Sequence, residues 1–245
     1  MPPHDPGNLM LEIQSTCAKL SRLTRDLDRA LTKERLEEQL RAVDPPRGQP
    51  VPVSGLENWK KQKVCCIGLC KTGTKSFGTS LSFKLDYIVD SAFWPVVTDY
   101  TSDLEGEIKD SVDHVLESND AFSDYPWMFL YEYVYNECPD MKFVLSLRDS
   151  PQRYAASEIA WHEKDGNVPP SEESLINIYN EHNTRVREFF SDKPGKLLEM
   201  CFEEGDAWNK LGVFLNLPSE VQTLIQKDPM FHTNRTHTPV IGDDN

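Results

Sequence analysis

The chain has 245 residues, of which 38% are hydrophobic and 10% aromatic, and this composition excludes a fully disordered protein. Its formal net charge of -14 argues against nonspecific binding to nucleic acid or to an anionic membrane, because both need a basic surface. The chain has no apolar segment long enough to span a bilayer, no secretory signal pattern and no evenly spaced cysteine framework, so we expect a cytoplasmic protein with reduced thiols.

The first 44 residues are predicted to form mainly an amphipathic helix. Apolar residues recur in it at spacings of three, four and seven: Ile13, Cys17, Leu20, Leu27 and Leu31. Two interpretations are open, a coiled coil that makes a homodimer and a helix that packs on its own domain. Prolines and a glycine between residues 45 and 52 end the helix and predict a stiff linker, residues 45–62.

The remaining chain, residues 63–240 followed by a short tail at 241–245, alternates predicted strands with predicted helices. The predicted strands are 64–69, 87–89, 142–147 and 196–201. The predicted helices are 74–83, 103–116, 128–137, 151–161, 171–189, 207–215 and 219–226, and residues 117–126 are predicted to be a loop. This alternation predicts an α/β fold with a central parallel sheet flanked by helices. Ligands of such sheets bind where strands end, which places Gly68–Ser76, Asp90 and Arg148 on one rim.

The stretch Gly68–Ser76 has the strand–loop–helix pattern of a phosphate-binding loop, in which backbone amides and a helix N-terminus face an anion. Gly68 and Gly73 have the spacing of a nucleotide-triphosphatase loop, but Thr74 stands where that loop has lysine, and Lys75 is one place late. Arg148 also stands where a magnesium-binding carboxylate would follow the strand. These departures disfavour an ATP–magnesium site, and a P-loop kinase or NTPase is retained as an alternative.

Another family fits these residues better. Lys71-Thr72-Gly73-Thr74 resembles the 5′-phosphosulfate loop of sulfotransferases, in which [KR]-[ST]-G-T precedes a helix. Strand 143–148, which ends in Arg148 and is followed by Ser157, is similar to the second half of their signature. Segment 120–127 is similar to the D-x-P segment of one sulfotransferase branch, and segments 203–215 and 231–234 resemble its C-terminal part. The resemblance extends from about residue 63 to residue 235 and implies a three-layer P-loop-type fold.

The resemblance also implies a donor and roles for residues. The donor would be 3′-phosphoadenosine-5′-phosphosulfate (PAPS), leaving 3′-phosphoadenosine-5′-phosphate (PAP), with no metal. Lys71 would stabilise the leaving phosphate, and Asp124 would be the base that takes the proton of the acceptor. The residues that would bind the donor are Lys71, Thr72, Gly73, Thr74, Lys75, Ser76, Arg148, Ser157 and Arg235.

Several alternatives are left open by the sequence. Asp120, Asp90 and His162 are other candidate bases, and Asp124 also suits a helix cap. Arg148 is also compatible with a structural ion pair to Asp149 or Glu158, and the acidic pair Glu203-Glu204 predicts a solvated face. A catalytically inactive nucleotide-binding or interaction module is the third functional interpretation.

The acceptor is not defined by a motif. Segments 93–101, 122–127 and 161–170 are predicted to surround it, and they contain Trp94, Trp127 and Trp161. These rings favour an apolar or aromatic small molecule, whereas the net negative charge disfavours an anionic polymer.

Overall fold

The computed structural model describes residues 56, 59–90, 97, 99–226 and 230. The predicted N-terminal helix, most of the linker, the tail and Arg235 lie outside the described residues, so the predictions made for them stay predictions.

The described residues form one parallel sheet of five strands in the order β2-β3-β1-β4-β5. The strands are β1 (Val64–Cys66), β2 (Val89–Asp90), β3 (Ala121–Phe122), β4 (Lys142–Leu147) and β5 (Leu197–Cys201). The α-helices are α1 (Thr74–Leu85), α2 (Gly106–Ser118), α3 (Trp127–Glu137), α4 (Pro151–Lys164), α5 (Glu172–Phe190), α6 (Trp208–Phe214) and α7 (Ser219–Ile225), and a short 3-10 helix spans Phe202–Glu204. The predicted α/β fold with a central parallel sheet is confirmed.

The sheet is covered on both faces because successive side chains of each buried strand point in opposite directions. Along β1, Val64 and Cys66 pack in a cluster with side chains of α1, α6 and α7. The intervening Cys65 packs in a second cluster with side chains of α2, α3 and α5. A smaller cluster joins α4 and α5 to Leu69, just beyond the end of β1. The two main clusters are the hydrophobic cores between the sheet and the helices that cover each of its faces.

The prediction of an uninterrupted loop at residues 117–126 is wrong, because β3 lies within it. This strand has two residues, too few to show an alternating pattern, and it is held between β1 and β2. Its position matters for the site, since it brings the segment after Phe122 directly beside the end of β1. Smaller differences are that β1 ends at Cys66, where the chain turns into the loop, and that α4 continues to Lys164.

In the described part of the chain, no helix combines the length and the apolarity needed to cross a bilayer.

Candidate functional site

The loop between β1 and α1 is fixed to the neighbouring strand β4. A Cβ atom on Gly68 would lie 2.1 Å from the Ser146 hydroxyl and 2.4 Å from the Ser146 carbonyl oxygen, so only glycine fits. The Thr72 hydroxyl donates to the Leu69 carbonyl at 2.6 Å and lies 2.6 Å from the Ser146 hydroxyl. The Thr72 amide also donates to Leu69. Thr72 is 2% exposed, and the contacts of its side chain hold the loop in shape.

The carbonyl at the start of the loop is also held in place. His182 of α5 is buried, and its Nε2 lies 2.8 Å from the Ile67 carbonyl oxygen while its Nδ1 lies 2.7 Å from the Tyr100 hydroxyl. The carbonyl can only accept, so Nε2 donates and Nδ1 accepts from Tyr100. Burial lowers the pKa of His182 to about 4, which keeps this ring neutral. The histidine therefore supports the loop.

The second half of the loop has the backbone shape of an anion-binding turn. Lys71 and Gly73 have φ angles of 68° and 98°, in the left-handed region. A Cβ atom on Gly73 would lie 2.5 Å from the Phe202 ring, so glycine is required there for two reasons. No side chain of the described residues caps the N-terminus of α1, which begins at Thr74. Such an end attracts an anion, and Thr74, Lys75 and Ser76 lie in its first turn.

Asp124 lies beside this loop because β3 pairs with β1. Its Oδ1 accepts a hydrogen bond from the Cys70 thiol at 2.9 Å, and its Oδ2 is 4.0 Å from the Lys75 ammonium. The side chain is 14% exposed. Burial and the neighbouring Asp124 raise the pKa of Cys70 far above its usual value, so the thiol stays protonated and donates. The helix-cap alternative is not what the structure shows, since α3 begins after Pro126 without a side-chain cap.

The other candidate bases lie elsewhere or already hold partners. Asp120 precedes β3, at the opposite end of that strand from Asp124, and accepts from the Lys61 ammonium and the Ile88 amide. Asp90 accepts from the Trp127 indole at 3.0 Å. His162 lies in the last turn of α4 with its ring against Trp161. Of the four carboxylate and histidine candidates, Asp124 contacts the loop directly.

Glu158 is a buried carboxyl group near the loop that the sequence reasoning did not assign to the site. It lies on α4 next to Ser157, and the two residues are 7% and 5% exposed. Burial raises the pKa of Glu158 to about 7, the Lys71 ammonium lowers it, and the Asp124 carboxylate raises it further. Glu158 therefore interacts electrostatically with both predicted catalytic residues. The sequence feature that indicates its burial is its position four residues after Tyr154, on the apolar face of α4.

Arg148, at the end of β4, joins the loop to the end of β5. Its Nη1 donates to the Lys71 carbonyl at 2.9 Å, and its Nη2 forms an ion pair with Glu203 at 2.5 Å. Its Nε is buried and has no hydrogen-bond partner among the described residues. The predicted ion-pair partners Asp149 and Glu158 are thus replaced by Glu203. Glu203 is exposed, as the prediction of a solvated face requires, but its carboxylate is also paired with Arg148.

The tryptophans predicted to surround the acceptor have different environments. Trp127 is completely buried and hydrogen-bonded to Asp90, so it is part of the core. Trp161 is 41% exposed on α4. Trp94 lies outside the described residues. Among the two described rings, Trp161 is the one available to a ligand.

A family model supports the sulfotransferase resemblance. Residues 63–162 match the family model described as the sulfotransferase domain, and this range contains the loop, Asp124, Arg148, Ser157 and Glu158. No curated protein sequence matches the chain significantly. Among solved structures, the mouse sulfotransferase SULT7A1 complexed with PAP aligns with 71% of this chain and 67% of its own, at 12% identity and a TM-score of 0.42. The sulfotransferase resemblance is confirmed for the part of the chain that the family model covers.

Proposed function

We propose that this chain is a sulfotransferase that moves a sulfuryl group from PAPS to a hydroxyl or amine of a small-molecule acceptor. One observation carries the proposal. The Arg148 guanidinium donates directly to the Lys71 carbonyl, 77 residues earlier in the chain, and so joins a cation at a strand end to a loop shaped for an anion. Two adjacent anion-binding elements suit a nucleotide that carries phosphate groups at two positions.

The proposal assigns the two elements to the two ends of the donor. Gly73, Thr74, Lys75 and Ser76, at the N-terminus of α1, hold the 5′-phosphosulfate. Arg148 and Ser157 hold the 3′-phosphate. Thr72 contributes by fixing the loop to β4, and Arg235 remains a predicted contact of the nucleotide. The chemistry that PAPS supplies is a sulfuryl group on a phosphate leaving group.

The proposed reaction needs a base and a group that stabilises the leaving phosphate. The acceptor oxygen or nitrogen attacks sulfur, the bond from sulfur to the bridging oxygen breaks, and its electron pair goes to the 5′-phosphate. The Lys71 ammonium stabilises this developing charge. Asp124 takes the proton of the acceptor through Oδ2, because Cys70 already donates to Oδ1. The acceptor is proposed to be apolar or aromatic, as suggested by exposed Trp161, and the protein to act in the cytoplasm.

Calorimetry with PAP in metal-free buffer, and separately with ATP and magnesium, tests this function. We expect PAP to bind, and Arg148→Ala to weaken binding by about 10- to 100-fold, the effect of losing hydrogen bonds to a charged group. Arg187→Ala is the matched control, because Arg187 forms an ion pair with Glu199. Binding of ATP with magnesium in place of PAP would contradict the proposal and favour the kinase or NTPase alternative.

A further inference from the structure

The carboxylate of Glu203 has two hydrogen-bond donors at close range and a more distant guanidinium, that of Arg153, which also faces Asp149 at 3.8 Å. Its Oε1 is 2.5 Å from Arg148 Nη2 and 3.7 Å from Arg153 Nε, and its Oε2 accepts from the Asp149 amide at 3.0 Å. Glu203 is in the 3-10 helix that follows β5, whereas the donors follow β4. The adjacent ends of two parallel strands therefore place a negative group against two guanidinium groups and one amide.

These donors form a built anion site. Guanidinium groups bind carboxylates and phosphates through several N–H groups at once, and a backbone amide adds a fixed donor. The Arg148 guanidinium is held in position by its second bond, to the Lys71 carbonyl. The Glu203 side chain remains 27% exposed, so a dissolved anion can reach the same donors.

We infer that Glu203 is an internal anion that occupies the subsite of the 3′-phosphate and has to leave Arg148 before that phosphate binds. This inference rests on the proposed function, which assigns Arg148 to the 3′-phosphate. A phosphate dianion and a carboxylate compete for the same N–H groups, and both cannot remain there without charge repulsion. Glu203 therefore lowers affinity for nucleotides that carry a 3′-phosphate and leaves affinity for other nucleotides unchanged.

The charge of Glu203 therefore affects how strongly the protein discriminates between nucleotides with and without a 3′-phosphate. A nucleotide with a free 3′-hydroxyl leaves the Glu203–Arg148 pair intact. A 3′-phosphorylated nucleotide gains contacts with both arginines and loses the existing ion pair. Removing the negative charge at position 203 should therefore raise the affinity for PAP and leave the affinity for a nucleotide with a free 3′-hydroxyl unchanged. Glu204 follows in the same 3-10 helix, and Glu204→Gln removes the same charge one residue away.

The test is calorimetry with PAP and with adenosine 5′-monophosphate at one fixed ionic strength. We expect Glu203→Gln to bind PAP about tenfold more tightly than the unaltered protein, because a competing charge-assisted pair is removed. Its affinity for adenosine 5′-monophosphate should stay within about twofold. Glu204→Gln should match the unaltered protein with both ligands.

Other results distinguish failure of the inference about Glu203 from failure of the proposed function. Equal affinity of the unaltered protein and Glu203→Gln for PAP, or weaker binding by Glu203→Gln, overturns the inference and leaves the proposed function standing. An equal gain in PAP affinity in Glu203→Gln and Glu204→Gln also overturns the inference, since the gain would then come from the change in net charge. Absence of PAP binding in every variant overturns both the inference and the proposed function.

A second variant covers the case in which Glu203→Gln does not fold. Glu203→Asp keeps the charge but shortens the side chain by one methylene, which withdraws the carboxylate from Arg148. We expect it to bind PAP with an affinity between those of the unaltered protein and Glu203→Gln. Unchanged PAP affinity in Glu203→Asp overturns the inference.

Discussion

Glu158 is a buried acid whose protonation couples the site to the stability of the fold. Its pKa is raised to about 7, with burial as the largest cause, so the folded protein holds this proton more tightly than the unfolded chain does. This tighter proton binding stabilises the fold at low pH. The free energy of unfolding therefore falls as pH rises from the pKa of Glu158 in the unfolded chain through about 7, its pKa in the fold. Above that pH, the fold contains a buried carboxylate near Asp124.

Replacing the Glu158 carboxyl by an amide should remove the free-energy cost of burying a carboxylate, and this cost exists only at high pH. We expect Glu158→Gln to raise the free energy of unfolding by roughly 2 to 3 kcal/mol at pH 8 and to change it little at pH 4.5. Denaturant unfolding of both proteins at the two pH values measures the difference. Glu163→Gln, on the exposed side of the same helix, is the control. A gain of the same size at both pH values would show that the ionisation of Glu158 is not its cause.

Asp124 is the residue on which the proposed chemistry depends most directly. We expect Asp124→Asn to keep PAP affinity within a few fold and to lower the conversion of PAPS to PAP, measured with a panel of phenols and alcohols, by roughly 100- to 10,000-fold. The amide fills the same space but cannot take a proton. Cys70→Ala, which removes only the donor to Oδ1, should have a smaller effect. Unchanged turnover in Asp124→Asn would remove Asp124 as the base and make the buried carboxyl of Glu158 the next candidate.

The loop between β1 and α1 is an element whose shape is set by its contact with β4. Gly68 touches both the hydroxyl and the backbone carbonyl of Ser146, so a side chain there displaces backbone and not merely a flexible group. We expect Gly68→Ala to lower the free energy of unfolding by about 2 to 4 kcal/mol, and to weaken PAP binding in parallel, because overpacking would move the loop. Thermal or denaturant unfolding measures the first effect and calorimetry the second.

Gly212 provides a matched glycine in a different setting. It lies within α6, and its added Cβ would be 3.3 Å from a side-chain carbon of Gln222. Gly212→Ala should change the free energy of unfolding by less than about 1 kcal/mol, since the higher helix propensity of alanine offsets a tight but movable contact. A loss in Gly212→Ala as large as that in Gly68→Ala would show that the Ser146 contact is not the cause.

The strands differ in how far their sequences predict them. A continuous apolar run predicts β4 at its observed bounds, because both faces of a central parallel strand are buried. The two-residue β3 carries no such signal, and only its pairing with both β1 and β2 makes it a strand. The position of Asp124 beside Cys70 follows from that pairing. Motif spacing identified the residue, but its contacts depend on strand order.

Over the whole molecule, which has a net charge of -14, the site stands out because cations of the loop and of β4 lie against the carboxyl groups of Asp124, Glu158 and Glu203. The sequence indicated both anion-binding halves, because each is a short motif at a predicted strand end. It did not indicate that Glu203 would be the partner of Arg148, since that contact joins segments far apart in the chain. Nor did it separate Trp127, which the fold buries, from Trp161, which it leaves exposed. Contacts between distant segments are set by packing and are not encoded in motif spacing.

The central claim is that one nucleotide binds through two phosphates, one on the loop and one on Arg148. Phosphorus NMR of PAP titrated with the protein tests it most directly, because the 5′- and 3′-phosphates give separate resonances. We predict that both resonances shift or broaden in metal-free buffer, and that Arg148→Ala mainly removes the effect on the 3′-phosphate. Neither resonance responding, or the 5′-phosphate alone responding in the unaltered protein, would contradict the account.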